Sequence, residues 1–122
     1  MFDGTLEEES GRRSRTREEI LLAVDTADAV SLARIAELSG ISERLIRLAI
    51  DGKRPYFRPE LSPVALGLIA EVPRIRGRAF TITPRGSWRA RGIREARLSA
   101  ARRLLAQQPS AREDRPGGRK RG

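Results

Sequence analysis

The sequence predicts a mainly α domain that carries one two-stranded β-hairpin, an α+β class weighted towards helix. Three observations predict it. Apolar residues recur at helical spacing in three successive stretches between Thr16 and Asp51, each opened by a Ser or Thr. A strand-forming run, Ala79–Thr83, alternates Phe80 and Ile82 with threonines. Thr83-Pro84 then opens a long arginine-rich stretch with no further proline before Pro109.

In chain order, residues 1–15 are polar, charged and poor in apolar side chains, and read as a disordered arm. Thr16, followed by Glu18 and Glu19, reads as a helix start, with a capping hydroxyl and acids in the first turn. Ile20, Leu21, Val24 and Ala27 give that helix its apolar stripe, and it is expected to stop near Ala29. Ser31 caps a second helix, Leu32–Ser39, with Leu32, Ile35, Ala36 and Leu38 turned inward and Gly40 behind it. Ser42 caps a third helix that ends near Asp51-Gly52. Pro55, Pro59 and Pro63 exclude regular helix from Lys53–Pro63, while Pro63–Leu66 reads as one helical turn. Leu68–Val72 and Arg78–Thr83 read as paired strands around a turn at residues 73–77. The last helix extends to about Gln107, although Gly86 and Gly92 weaken its first half. Residues 16–107 thus form one domain, and residues 108–122 read as a disordered basic tail. No internal repeat is visible.

Composition narrows the chemistry. The 122 residues contain no cysteine and no histidine. Disulfides, thiolate metal sites, and histidine-based catalysis or pH sensing are thereby removed. The expectation is a non-enzyme with no cofactor and no metal. No run approaches the roughly 18 apolar residues of a membrane span, and the acidic N-terminus has no apolar core of a secretion signal. A cytoplasmic, nucleoid-associated protein with no membrane partner is expected. Residues 1–60 hold 10 basic and 12 acidic residues, whereas residues 61–122 hold 15 basic and 4 acidic. Such asymmetry points to a polyanionic partner, although the dominance of arginine over lysine also fits a GC-rich genome.

The stretch Leu32–Asp51, LARIAELSGISERLIRLAID, meets the steric demands of two helices crossing at a tight turn. Ala36 is the small residue at the crossing, Gly40 tolerates positive φ, and Ile41 plugs the gap. Ser42 caps the next helix, and Ile46, Ala49 and Ile50 anchor its inner face. The set resembles the bacterial helix-turn-helix; the plain alternative is two packed helices joined by a glycine turn. The resemblance makes Ser42–Asp51 the recognition helix, with Ser42, Glu43, Arg44, Arg47 and Leu48 as base-reading candidates. Arginine contacts guanine O6 and N7 bidentately, and glutamate accepts from cytosine N4. Glu43 and Arg47, four residues apart, also fit a simple surface pair.

A second stretch, Gly67–Gly86, GLIAEVPRIRGRAFTITPRG, places three arginines within five residues and no acid among them. It resembles the wing and following helix of winged helix-turn-helix regulators of the MarR-like and ArsR-like families. The resemblance implies that the wing tip meets the DNA backbone through Arg74, Arg76 and Arg78; a solvated β-turn is the plain alternative. In MarR-like chains the recognition helix runs on towards the wing, whereas here DGKRPYFRPELSP intervenes. Lys53 and Arg54 of that detour are candidates for phosphate contact, and Tyr56 and Phe57 for covering the core.

In the same families the first and last helices build a two-fold dimer. The resemblance assigns that interface to Ile20, Val24, Trp88, Ile93, Ala96, Ala100 and Leu104. Against it, Arg85–Arg103 carries seven arginines and one acid, Glu95, which also fits a helix completed on a polyanion. The expected function is a sequence-specific double-stranded DNA-binding homodimer that regulates, and represses, transcription. Two alternatives stand beside it: an architectural or plasmid- or phage-maintenance protein with little sequence preference, and a winged helix that binds protein or RNA.

Overall fold

The first helix, α1 (Phe2–Val24), is longer at its start and shorter at its end than the stripe of apolar residues predicts. A computed structural model describes residues 2–74 and 76–107. The arm expected over residues 1–15 is, from Phe2 onward, helix. The correction has a local reason: no proline occurs before Pro55, and Glu, Arg and Leu, which favour helix, dominate the segment. At the other end the Thr26 hydroxyl donates to the Ala23 carbonyl at 2.7 Å and competes with the helical ladder. Ala27, expected in the core, is therefore exposed in the turn that follows.

That turn leads into β1 (Val30–Ser31), a strand too short to carry a periodic signal. It exists because β3 (Ala79–Ile82) pairs with it antiparallel, Val30 opposite Phe80 and Ser31 opposite Ala79. On its other edge β3 pairs with β2 (Ile69–Val72), with Ile69 opposite Ile82 and Val72 opposite Ala79. The sheet order is β1-β3-β2. The strands are each a residue or two shorter than the expected Leu68–Val72 and Arg78–Thr83.

Helices α2 (Leu32–Ser39) and α3 (Glu43–Asp51) fall where their caps place them. Between α3 and β2 the prolines give a 3-10 turn at Pro59–Leu61, then a hydrogen-bonded turn in which Leu66 N–H donates to the Ser62 carbonyl. The expected single turn near Pro63–Leu66 is thus present. The final helix, α4 (Pro84–Ala106), starts at a Thr83 cap whose hydroxyl accepts from Gly86 N–H at 2.9 Å.

The chain divides into two units. Residues 1–90 hold all elements through the start of α4; the described part of residues 91–122 is the rest of that helix. The core of the first unit draws Ile20, Leu21 and Val24 from α1, Ile35 from α2, and Ile46, Ala49 and Ile50 from α3. Ile69 and Phe80 join them from the sheet. Leu38, expected to face inward, is exposed, and Ala36 is half-buried. Gly86, which weakens α4 on propensity alone, is buried against Leu68, the residue before β2; a Cβ there would overlap the Leu68 carbonyl. Among the described residues no helix is long and apolar enough to cross a membrane. The tail expected over residues 108–122 lies outside the described residues, as does Ile75 of the wing turn.

Candidate nucleic-acid interface

The turn between α2 and α3 is built from local hydrogen bonds. Gly40 takes φ +74° and its N–H returns to the Ala36 carbonyl at 2.9 Å. Ile41 N–H donates to the Ser39 hydroxyl at 3.2 Å. Ser42 is extended, and its hydroxyl accepts from Leu45 N–H at 3.2 Å, the N-cap geometry. Ser42 is exposed but committed to that cap, so its hydroxyl serves the helix start first.

α3 buries Ile46, Ala49 and Ile50 completely or nearly so. At about 100° per residue, Arg44, Arg47, Leu48 and Asp51 lie on the opposite side. Arg44 is exposed and, among the described residues, has no ion-pair partner. Arg47 is exposed and pairs with Glu43 at 3.2 Å, and both keep nearly half of their side-chain surface in solvent. Leu48 is half-buried. Leu45, not a candidate from the sequence, is also exposed on α3. The helix ends at Gly52, φ +64°, whose N–H meets the Ala49 carbonyl while Lys53 N–H meets that of Leu48. A Cβ at Gly52 would collide with the Pro59 backbone, so both conformation and space demand glycine here.

The wing corrects one expectation. Arg74 and Arg76 are exposed at the hairpin turn, whereas Arg78, where the turn rejoins β3, is half-buried and paired. Its Nε and NH2 groups donate to Glu71 at 2.9 Å each. Its NH1 and NH2 groups donate to Asp51 at 3.1 and 3.0 Å. The guanidinium also lies 5.4 Å from the centre of the Phe80 ring. These bonds hold the Glu71 carboxyl below the usual range, and raise Arg78 above its own. Arg78 thus ties the C-terminal end of α3 to the wing. Arg78 lies 7 residues from Glu71 but 27 from Asp51, so only the fold reveals the clamp onto α3.

Between α3 and the wing runs a groove of about 310 Å³, lined by Glu43 and Arg47 on one side and Arg74, Arg76 and Arg78 on the other. The fold therefore brings Glu43 and Arg47 together with the wing arginines, whereas Ser42, Arg44 and Leu48 do not line this groove. Lys53 and Arg54 do not line it. Both are exposed, and Arg54 lies 3.8 Å from Glu60. Of the detour's aromatics, Phe57 is buried as expected and Tyr56 is exposed.

The expected dimer residues separate. Ile20 and Val24 are fully buried within their own chain, which removes them from any surface. Trp88 is 77% exposed, Leu104 60%, and Ala96 is also exposed. Ile93 and Ala100 are half-buried. Trp88 does not share their stripe, since it lies about 140° round α4 from Ile93 and about 160° from Leu104.

No family model matches the chain, and no curated protein matches it either. Among solved structures, it is similar to the crystal structure of a MarR family transcriptional regulator from Silicibacter pomeroyi DSS-3. The identity is 21% and the TM-score 0.56, over 89% of this chain and 79% of that one. This likeness shows the fold: the chain has a MarR-like winged-helix fold.

Proposed function

We propose that this chain is a double-stranded DNA-binding regulator of transcription that acts as a repressor by occupying its site. One observation supports the reading: Glu43 and Arg47 of α3 and the two exposed wing arginines border a single groove. α3 enters the major groove, where Arg44 and Arg47 test base edges and Glu43 orients Arg47. Arg74 and Arg76 follow the phosphate backbone. Asp51 would repel phosphates from the same face of α3, and Arg78 neutralises it. The protein works in the cytoplasm, on the nucleoid. A homodimer through the α4 stripe of Ile93, Ala96, Ala100 and Leu104 would set two recognition helices about one DNA turn apart. Sedimentation at micromolar concentration tests that assembly, and a monomer at all concentrations refutes it.

Selection from a random duplex pool at near-physiological salt tests the function. A specific regulator enriches one motif and prefers it by about a thousandfold over scrambled DNA. On that motif Arg44→Ala costs about 1–3 kcal/mol and relaxes the preference locally. Arg76→Ala weakens all duplexes alike and reduces the salt slope by about one. Equal binding to all duplexes would replace the regulator with an architectural protein, and no duplex binding would overturn the DNA reading.

A further inference from the structure

A second pocket, of about 270 Å³, lies between α1 and the proline-rich segment after α3. It shares no lining residue with the groove described above. Arg13 and Arg17 come from α1, Arg54, Tyr56 and Arg58 from the segment, and no acid is among its lining residues. Phe57, buried, and Leu61, half-buried, give it an apolar wall. Arg17 is half-buried and, among the described residues, has no acidic partner. Burial first, then the neighbouring Arg13, pull its guanidinium below the usual value. Arg58 is exposed and likewise lacks an acidic partner among the described residues.

The segment that presents Arg54 and Arg58 is held in shape. Phe57 N–H donates to the Lys53 carbonyl at 2.9 Å, and Leu61 N–H to that of Arg58 at 3.0 Å. The buried Ser62 hydroxyl donates to the Ile50 carbonyl of α3. The backbone that carries these cations is therefore pre-positioned, which lowers the ordering cost of binding. Four guanidiniums border the recess, Arg54 among them shared with Glu60 at 3.8 Å, and their excess positive charge is focused into it. Guanidinium forks match the oxygens of phosphate. The volume sits just below the roughly 300–1,000 Å³ of drug-sized ligand sites, which favours a small ligand.

We propose that this pocket is a phosphate-binding site, which takes the phosphate oxygens of a small anion such as a phosphate monoester or diphosphate, or those of a DNA backbone. Its phosphate oxygens bridge Arg17 of α1 and Arg58 of the segment, with Arg13 and Arg54 flanking. The phosphate belongs either to a free metabolite or to a DNA backbone, and these sources are separable.

The test is calorimetric titration of the full chain with inorganic pyrophosphate in phosphate-free, low-salt buffer. One saturable site is expected, weakened about tenfold in the Arg17→Gln/Arg58→Gln double variant by loss of two charge-assisted contacts. The charge-matched control Arg89→Gln/Arg91→Gln, exposed on α4, keeps its affinity within about twofold. Should the Arg17 change impair folding, the exposed Arg58→Gln alone is expected to weaken binding about threefold. A short duplex titrated in parallel identifies the source. Duplex affinity equal in double variant and control assigns the site to a free anion. An extra loss in the double variant, with pyrophosphate competing against duplex, assigns it to a DNA phosphate. The absence of saturable heat, or equal weakening in double variant and control, overturns the site.

Discussion

Replacing Arg78 by methionine removes the clamp between α3 and the wing while keeping most of the side-chain volume. Four hydrogen bonds of 2.9–3.1 Å to two carboxylates are lost. The arginine side chain is 30% exposed, Asp51 29% and Glu71 43%, so solvent screens both pairs. Exposed pairs are worth about 0.2–1 kcal/mol each, and bidentate geometry places these towards the upper end. The contact over Phe80 adds about 0.5–1 kcal/mol. The expected loss is about 2 kcal/mol, which lowers the melting temperature of a domain this size by about 10 °C.

Acid supplies an internal control. The Arg78 hydrogen bond depresses the Glu71 carboxyl in the folded chain, so its contribution is complete above the unfolded value of about 4.5. It fades as pH falls through the lower folded value. Urea unfolding followed by far-UV circular dichroism should therefore show a lower midpoint for Arg78→Met at pH 7, with unchanged slope, and a gap that narrows in acid. Combined with Asp51→Asn, the cycle should return a coupling of about 1 kcal/mol. Equal midpoints at pH 7, or a gap that persists undiminished in acid, would refute the clamp.

Two glycine contrasts separate conformation from space. Gly40→Ala meets open space and costs about 1 kcal/mol for its positive φ alone, whereas Gly52→Ala adds a collision with Pro59 and should cost at least twice as much in thermal melts. Equal losses would show that Pro59 yields. Gly86→Ala drives a methyl into the Leu68 carbonyl and should cost about 1–3 kcal/mol or more, while Gly92→Ala, in open helix, should stabilise by about 0.5–1 kcal/mol. Ser42→Ala removes the α3 cap and should cost about 1 kcal/mol, with Ser42→Asp restoring most of it; failure of the aspartate rescue would deny the cap its role.

What the sequence discloses and what it hides divide along contact distance. α2, its turn and α3 are legible because Ser31, Gly40, Ser42 and Gly52 act on groups within four residues of themselves. β1 is not legible, because two residues become a strand only when β3 arrives from about fifty positions away. The same holds for charge. A count finds three arginines near the wing tip but cannot tell which are free. Register answers it: Ala79 opposite Val72 sets Arg78 where the turn rejoins β3, beside Glu71 and the end of α3. One of the three cations is thereby paired with two acids. Asp51 is the acid at the end of α3's outward face, and Arg78 cancels it where a phosphate would meet it. On the proposed DNA-binding reading, an arginine engaged as a clamp would still serve the attraction of DNA, by neutralising Asp51 at the end of that face. Salt dependence should expose that double duty. In Arg78→Met, duplex affinity should fall at all sequences, because an unmasked Asp51 repels every phosphate equally.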